Sequence, residues 1–283
     1  MISLAKYLAK TGLAFGFPPV LSRIGGANPI PVLCYHSVNA TANGECDPIH
    51  PELFEVHLRY LKAHHTVVPL RAVAQHLATG DVLSPDAVAI TFDDGYRDNY
   101  EVAFPLLEKF DLPATFFVVT GFINGEIDLI GDPGWEAMNW KQVQEMDSSH
   151  FIEFGAHTCT HPILSDLTET EAVHEISRSR QELQTRLGRE IDLFAYPNGQ
   201  GADIPPIALS TVEKLGFLCA CSTFWRTTHA PSQRFLINRV MISGKDSVNT
   251  LKLKLSGKFD YLYYVHKSKA IYNHYIKKRG VWK

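Results

Sequence analysis

Short apolar runs alternate with longer stretches of helical spacing along most of the chain. Runs with the length and composition of buried strands lie at residues 31–35, 86–92, 113–120, 151–154, 191–196, 217–223 and 236–242. Helical spacing lies between them, for example at residues 53–64, 97–110 and 139–147. Because strands and helices take turns in this way, the pattern predicts an α/β fold built on a parallel sheet.

A capping box marks the start of a further helix. Thr168 is followed three residues later by Glu171, and each side chain can satisfy a backbone N–H that a helix start leaves free. Helical spacing continues to about Leu187, and Gly188 is typical of the residue that ends a helix. Polar motifs repeatedly follow the strand ends, which is where α/β barrels carry their chemistry.

The composition is that of an ordinary globular protein. The chain has 283 residues, 45% of them hydrophobic, and a formal net charge of −3. Its five cysteines include no Cys-x-x-Cys pair, which argues against a disulfide framework and against a thiolate zinc site. This cysteine usage fits a reducing compartment.

Basic residues gather at the two ends. Residues 252–283 hold nine lysines and arginines against one acid, together with seven aromatic residues. We expect a basic amphipathic segment at 1–28, the main body at 29–248 and a basic aromatic tail at 249–283. The ends suit peripheral association with an anionic membrane, and so a cytoplasmic or inner-face location, with a secreted or periplasmic one as the alternative. A tail that merely packs a few aromatics on the body is the simpler interpretation, and no nucleic acid is expected as a partner because the body is acidic.

Two adjacent carboxylates follow the strand predicted at residues 86–92. Asp93 and Asp94 repel each other unless a proton or a cation relieves the repulsion. A divalent cation could bind one carboxylate and leave the other as a base. A plain turn is the alternative, because Asp-Asp-Gly is favourable turn chemistry.

Two histidines four residues apart form a second motif. His157 and His161 would share one face of a helical turn or lie on a loop at a strand end, and both imidazoles could bind one metal. With a carboxylate they would leave positions open on Zn²⁺, or on Co²⁺, Ni²⁺ or Mn²⁺ as alternatives, for water and substrate. Water bound to such an ion loses a proton far more readily than bulk water.

These two motifs and a third, Pro197-Asn198-Gly199, resemble the signatures of the polysaccharide deacetylases that share the NodB homology domain (carbohydrate esterase family 4). The likeness runs from about residue 31 to residue 244. It implies a distorted (β/α) barrel and the metal-dependent hydrolysis of N-acetyl groups on a polysaccharide or glycan precursor. An amidase or O-deacetylase for a small molecule, or a non-catalytic carbohydrate-binding protein, is the alternative.

The resemblance also implies residue roles. Asp94, His157 and His161 would bind the metal, and Asp93 would act as the general base. The backbone N–H of Asn198 would help to hold the oxyanion. Stabilising such an oxyanion usually accounts for a large part of the rate enhancement.

Two departures from the family pattern need substitutes. The arginine that many members carry before the third motif is missing, and Arg239 could replace it as the partner of the base, with a structural surface arginine as an equal alternative. The late Leu-x-His motif is also missing. However, Tyr35-His36 resembles an N-terminal segment of circularly permuted members such as the biofilm poly-N-acetylglucosamine deacetylases, which makes His36 the expected general acid.

Aromatic residues near the motifs are candidates for sugar contacts. Trp140, Tyr196 and Trp225 could stack on pyranose rings, although each is an ordinary core residue by default. Tyr96 and Asp98 follow the Asp-Asp-Gly turn and would either line the same cleft or begin the next helix.

Overall fold

The computed structural model describes residues 29–40, 48–131, 134–227 and 229–263. The strands in this part of the chain are β1 (Val32–Tyr35), β2 (Thr66–Val67), β3 (Ala87–Phe92), β4 (Ala114–Val118), β5 (Ile152–Ala156), β6 (Leu193–Ala195), β7 (Cys219–Cys221) and β8 (Val240–Met241). The α-helices are α1 (Pro51–His64), α2 (Leu70–Thr79), α3 (Phe104–Lys109), α4 (Thr120–Ile123), α5 (Trp140–Asp147), α6 (Glu169–Leu187), α7 (Pro206–Lys214) and α8 (Val248–Leu255). A π-helical turn, Asn99–Ala103, precedes α3.

The strands form a curled parallel sheet. Their order is β7-β6-β5-β4-β3-β1-β8, and β2 pairs with β3 off this path. A parallel bridge between Cys221 and Ile237 links β7 to the segment that leads into β8. The sheet therefore curls into the distorted (β/α) barrel that the family resemblance implies.

Residue alternation gives the sheet two apolar faces. In β3, Val88, Ile90 and Phe92 belong to the large core between the sheet and the surrounding helices. Ala87 and Ala89 belong instead to a smaller inner core, which also contains four apolar residues of α2. The barrel interior at this end is therefore filled by α2, a helix that the sequence analysis does not predict.

The helix predicted at residues 97–110 is interrupted. Pro105 has no N–H to donate to the carbonyl four residues earlier, so a regular ladder cannot pass through it. Just before it, the N–H of Phe104 bonds to the carbonyl of Asn99, five residues back, which defines the π-helical turn. The helical stretch begins at Arg97, as predicted, and its regular α-helical part, α3, begins at Phe104.

The capping box at the start of α6 is confirmed. The hydroxyl of Thr168 accepts from the N–H of Glu171, and the carboxylate of Glu171 accepts from the N–H of Thr168. Gly188 ends the helix in the left-handed conformation, with φ of 66°.

The packed body continues beyond residue 248, where the tail was expected to begin. Phe259, Tyr261 and Leu262 are buried together, with Trp225 against them. The expected basic segment at 1–28 and the rest of the tail, from 264 on, lie outside the described residues. Within the described part of the chain, none of the helices has the length and apolar character needed to span a membrane.

Candidate active site

The two carboxylates lie at the C-terminal end of β3, in a sharp turn. Asp94 has a φ of 77° and Gly95 a φ of 92°, so the chain turns abruptly as the strand ends. Both carboxylates are buried. Oδ1 of Asp94 lies 3.6 Å from Nε2 of His157 and 3.5 Å from Nε2 of His161.

The two histidines converge without a helix. Thr158 and His161 have left-handed φ values of 67° and 56°, so the helical turn considered for this motif is wrong and the loop alternative holds. The imidazole centroids of His157 and His161 are nevertheless only 4.9 Å apart. Nδ1 of His157 bonds to the carbonyl of Ala195 at 2.8 Å, which directs Nε2 into the site. Burial lowers the pKa of His157 to about 4, so the ring is neutral, as a metal ligand must be.

Two neighbouring elements hold the histidine loop. The carboxylate of Glu175, in α6, accepts from the N–H groups of Cys159 and Thr160 at 2.8 and 3.0 Å. On the other side, the N–H of Gly121 donates to the carbonyl of Cys159 at 2.8 Å. A Cβ at Gly121 would lie only 2.5 Å from that oxygen, so this approach requires glycine.

The Asp94, His157 and His161 cluster fits a divalent metal ion. The three ligand atoms lie within 4.8 Å of one another. Oδ1 of Asp94 is buried and has no hydrogen-bond partner among the described residues. A buried carboxylate oxygen without a donor is costly, and a cation would satisfy it. Two imidazoles and one carboxylate are also a donor set that zinc accepts.

The neighbouring carboxylate, Asp93, is paired with Arg239. The guanidinium donates to both carboxylate oxygens at 2.6 Å, and its Nε donates to the carbonyl of Ser222 at 2.9 Å. Arg239 is completely buried, which excludes the surface alternative. Burial alone would raise the pKa of Asp93. The charge of Arg239, its hydrogen bonds and the nearby imidazoles together outweigh burial and hold that pKa well below its usual range.

A cysteine and a histidine from the end of β1 also reach Asp93. The thiol of Cys34 donates to Oδ2 of Asp93 at 3.4 Å, and potential ligand atoms of Cys34, His36 and Asp93 lie within 4.8 Å of one another. Arg239 already bonds to both oxygens of Asp93, and burial raises the pKa of the Cys34 thiol. This group is therefore a Cys34–Asp93 hydrogen bond with the His36 ring nearby rather than a second metal site. The sequence analysis missed Cys34, although strand alternation gives it the same face as His36.

Asn198 follows β6 at the same edge of the sheet. Its φ of 56° turns the chain, and its side chain donates to Asp203 at 2.9 Å. Its carbonyl accepts from the hydroxyl of Thr223 at 2.5 Å. Its backbone N–H makes no hydrogen bond to another described residue, so this donor is available to a ligand.

The three aromatic residues predicted as sugar contacts have different surroundings. Tyr196 is fully buried and donates its hydroxyl hydrogen to the carbonyl of Phe235, so stacking on a sugar is excluded for it. Trp140 donates to Asn124, and the guanidinium of Arg186 lies 5.0 Å from its ring. Trp225 packs in the C-terminal cluster with Phe259. Tyr196 is therefore an ordinary core residue, which was the simpler of the two interpretations of its sequence position.

Comparison with known proteins agrees with this geometry. The polysaccharide deacetylase family model matches residues 81–220. The chain belongs to this family. It is 27% identical to YxkH of Bacillus subtilis (strain 168) over 216 residues, which are 76% of this chain and 71% of that protein. It is 26% identical to the poly-beta-1,6-N-acetyl-D-glucosamine N-deacetylase of Staphylococcus aureus (strain MSSA476) over 205 residues, 67% of this chain and 66% of that protein.

Two solved structures resemble the whole barrel. The deacetylase PplD of Streptococcus pyogenes, in complex with acetate, gives a TM-score of 0.71 at 25% identity and covers 80% of this chain and 98% of its own. IcaB from Ammonifex degensii gives a TM-score of 0.70 at 25% identity and covers 82% of this chain and 98% of its own. This polysaccharide deacetylase therefore shares its barrel with both of these proteins.

Proposed function

We propose that this protein is a metal-dependent N-deacetylase that hydrolyses acetamide groups on a glycan containing N-acetylglucosamine. The observation that carries the proposal is the buried Asp94, His157 and His161 cluster beside the Asp93–Arg239 pair. The name of the S. aureus relative supports an N-acetylated glucosamine polymer as the substrate class. The acetate held by PplD supports acetate as a product.

The proposed chemistry divides between base and ligand residues. A divalent ion bound by Asp94, His157 and His161, with Zn²⁺ as the first candidate, would acidify a water and polarise the acetamide carbonyl. Asp93 accepts the proton of the attacking water. Arg239 keeps Asp93 ionised and fixes both of its oxygens, so this base cannot turn away from the water.

The remaining two groups act on the atoms that change charge. The backbone N–H of Asn198 donates to the oxygen that becomes negative when water adds to the carbonyl. His36 donates a proton to the amine nitrogen as the C–N bond breaks, and histidine is the side chain that most often serves as a general acid. A ligand atom of His36 lies within 4.8 Å of one of Asp93, so the proposed acid and base are neighbours.

The test is acetate release from N-acetylglucosamine oligomers. The zinc-loaded protein is compared with a chelated sample and with the variants Asp93→Asn and His36→Ala. We expect chelation to abolish release, and Asp93→Asn and His36→Ala each to slow it about 10²–10⁴-fold. Release that survives chelation would reject the metal. No release by the zinc-loaded wild type would instead favour an O-acyl or small-molecule substrate, or a carbohydrate-binding role.

We also propose peripheral membrane association, which would bring the enzyme to lipid-linked or membrane-proximal glycans. Its support is the charge of the termini, since residues 264–283 alone carry six lysines and arginines and no acid. Co-sedimentation of the full chain with anionic and with neutral vesicles tests it. A protein that ignores both kinds of vesicle would contradict it.

A further inference from the structure

Two side chains just beyond β3 reach across to the loop that carries His36. Nδ2 of Asn99 donates to the carbonyl of His36 at 2.7 Å. The carboxylate of Asp98 accepts from the hydroxyl of Ser37 at 2.5 Å and from the N–H of Val38 at 3.1 Å. Residues 36–38, in the loop after β1, are thus bonded to Asp98 and Asn99, which follow β3. We call this set of hydrogen bonds the clamp.

These hydrogen bonds lie away from water. Asn99 is fully buried, and Asp98 and Ser37 are nearly so. Nδ2 of Asn99 also donates to Oδ1 of Asp98 at 3.0 Å, whereas its own Oδ1 has no partner among the described residues. Leaving a buried amide oxygen without a donor is unfavourable, so the need to reach these two acceptors decides how the amide is oriented.

The backbone that carries this clamp also carries the catalytic carboxylates. Asn99 opens the π-helical turn and lies five and six residues after Asp94 and Asp93. Such turns are rare and are frequent at functional sites. The loop that bears the proposed acid is therefore bonded directly to the segment that bears the proposed base and one proposed metal ligand.

The ring of His36 depends on this attachment. It makes no hydrogen bond to another described residue, so the backbone of its loop is what keeps it beside Asp93. We infer that Asn99 and Asp98 are positioning residues, which hold the imidazole of His36 where it can protonate the departing amine. The inference rests on the proposed function, in which His36 is the acid.

A comparison of two leaving groups tests this role. The acetamide C–N bond breaks productively only when the nitrogen takes a proton, whereas 4-nitrophenolate leaves an aryl acetate without one. In zinc-loaded Asn99→Ala we expect kcat on N-acetylglucosamine oligomers to fall about 10–100-fold with KM nearly unchanged. Hydrolysis of 4-nitrophenyl acetate should stay within about threefold of wild type, because that step needs no acid.

Three controls separate positioning from a general loss of structure. Thr168→Ala removes the cap of α6, away from the His36 loop, and should leave both rates unchanged. His36→Ala should show the same preference for the ester. The double variant should be no slower on the oligomers than His36→Ala alone, because the clamp acts only through that ring. An equal loss on both substrates, or a further loss in the double variant, would overturn the inference.

Hydrogen exchange gives an answer that does not depend on the substrate. The N–H of Val38 is bonded to Asp98, and its exchange in the full chain should accelerate at least tenfold in Asp98→Asn and in Asn99→Ala, with Thr168→Ala as the matched control. Unchanged exchange would overturn the clamp. A wild type that releases no acetate from the oligomers would reject the proposed function instead, and the exchange result would still decide whether the clamp exists.

Discussion

An arginine is paired with carboxylates at each end of the barrel interior. At the C-terminal ends of the strands, Arg239 bonds to both oxygens of Asp93, and their side chains are 0% and 4% exposed. At the opposite end, Arg71 bonds to both oxygens of Asp192 and also to Glu153, and its side chain is 37% exposed. The paired groups are the same, but their access to water differs.

The difference in exposure separates a solvated ion cluster from the proposed catalytic pair. Water reaches the Arg71 cluster, so its charges remain partly hydrated and its net contribution to stability is modest. The Asp93–Arg239 pair is dehydrated and lies beside a second carboxylate, Asp94, which has an unpartnered oxygen. A fold gains little stability from charges placed in this way, so their presence here supports a catalytic role.

Backbone conformation shows the same contrast. Among the described residues, five that are not glycine have positive φ, and four of them lie at the catalytic end, namely Asp94, Thr158, His161 and Asn198. At the opposite end, α2 closes with a glycine, Gly80, at a φ of 82°. Most of the described non-glycine residues in this strained conformation therefore lie around the candidate site.

The largest effect expected is on catalysis, from one isosteric change made at each end. Asp93→Asn should lower acetate release per folded molecule by about 10²–10⁴-fold, because the amide cannot accept the proton. Asp192→Asn should leave that rate within about threefold, because it disturbs only the solvated cluster. Acetate release rates, corrected for the folded fraction by circular dichroism, check this. Equal losses of rate in Asp93→Asn and Asp192→Asn would contradict the difference proposed between the two ion clusters.

Removing each arginine sharpens the comparison in stability. Arg239→Met leaves Asp93 buried and unpaired, which should cost about 3–5 kcal/mol of unfolding free energy. Arg71→Met leaves carboxylates that water can reach and should cost about 1 kcal/mol or less after allowance for screening. Urea unfolding measures both, and a cost for Arg71→Met as large as that for Arg239→Met would contradict the assignment.

A third test uses pH and two buried groups near the start of β1. Burial lowers the pKa of His229 to about 4 and raises the pKa of Asp260 to about 6. Between pH 4 and 6 the unfolded chain binds more protons at His229, so that residue makes stability rise with pH. The native chain binds more at Asp260, so that residue makes stability fall over the same window.

Single variants expose the two opposed slopes. His229→Gln leaves the Asp260 effect, so its free energy of unfolding should decrease relative to wild type as pH rises from 4 to 6. Asp260→Asn leaves the His229 effect and should show the opposite trend, each reaching about 3 kcal/mol at most. Unfolding curves at four pH values check the signs. Parallel pH dependences in the two variants would show that these groups do not titrate as buried residues.

The smallest effect concerns backbone strain. Thr158→Gly should raise the free energy of unfolding by up to about 1 kcal/mol, because a β-branched residue is costly at positive φ. Gly80→Ala should lower it by about 1 kcal/mol, although a Cβ there meets no atom within 4 Å. Thermal melts report both, and a Thr158→Gly protein that is less stable than wild type would show that the hydroxyl matters more than the strain.

Local signals in the sequence carried much of the fold and of the site. The capping box at Thr168 and the apolar run before Asp93 are short-range features. They predict a helix start and a strand from neighbouring residues alone. The adjacent carboxylates and the paired imidazoles are similarly local. Their convergence follows from parallel strands, whose C-terminal ends meet at one edge of the sheet.

Contacts between distant segments were harder to predict. Arg239 lies 146 residues from Asp93, and no local pattern links the two. From the sequence, a partner of the base and a structural surface arginine were therefore equal alternatives. The thiol of Cys34 and the amide of Asn99 have no sequence signature for what they contact. Tyr196 was a candidate for stacking on a sugar ring because it directly precedes the third motif, but the direction of the strand places its ring in the core.

The late position of β8 in the chain sets the order in which a nascent molecule can mature. During synthesis Asp93 emerges 146 residues before Arg239, and β1 lacks its second neighbour until β8 follows. Until then the carboxylates must stay hydrated and the sheet keeps open edges, a state that invites aggregation or chaperone binding. Translation must therefore reach β8 before water can be excluded from around Asp93 and Arg239. On a ribosome that stalls earlier, the sheet keeps an unpaired edge and Asp93 stays hydrated.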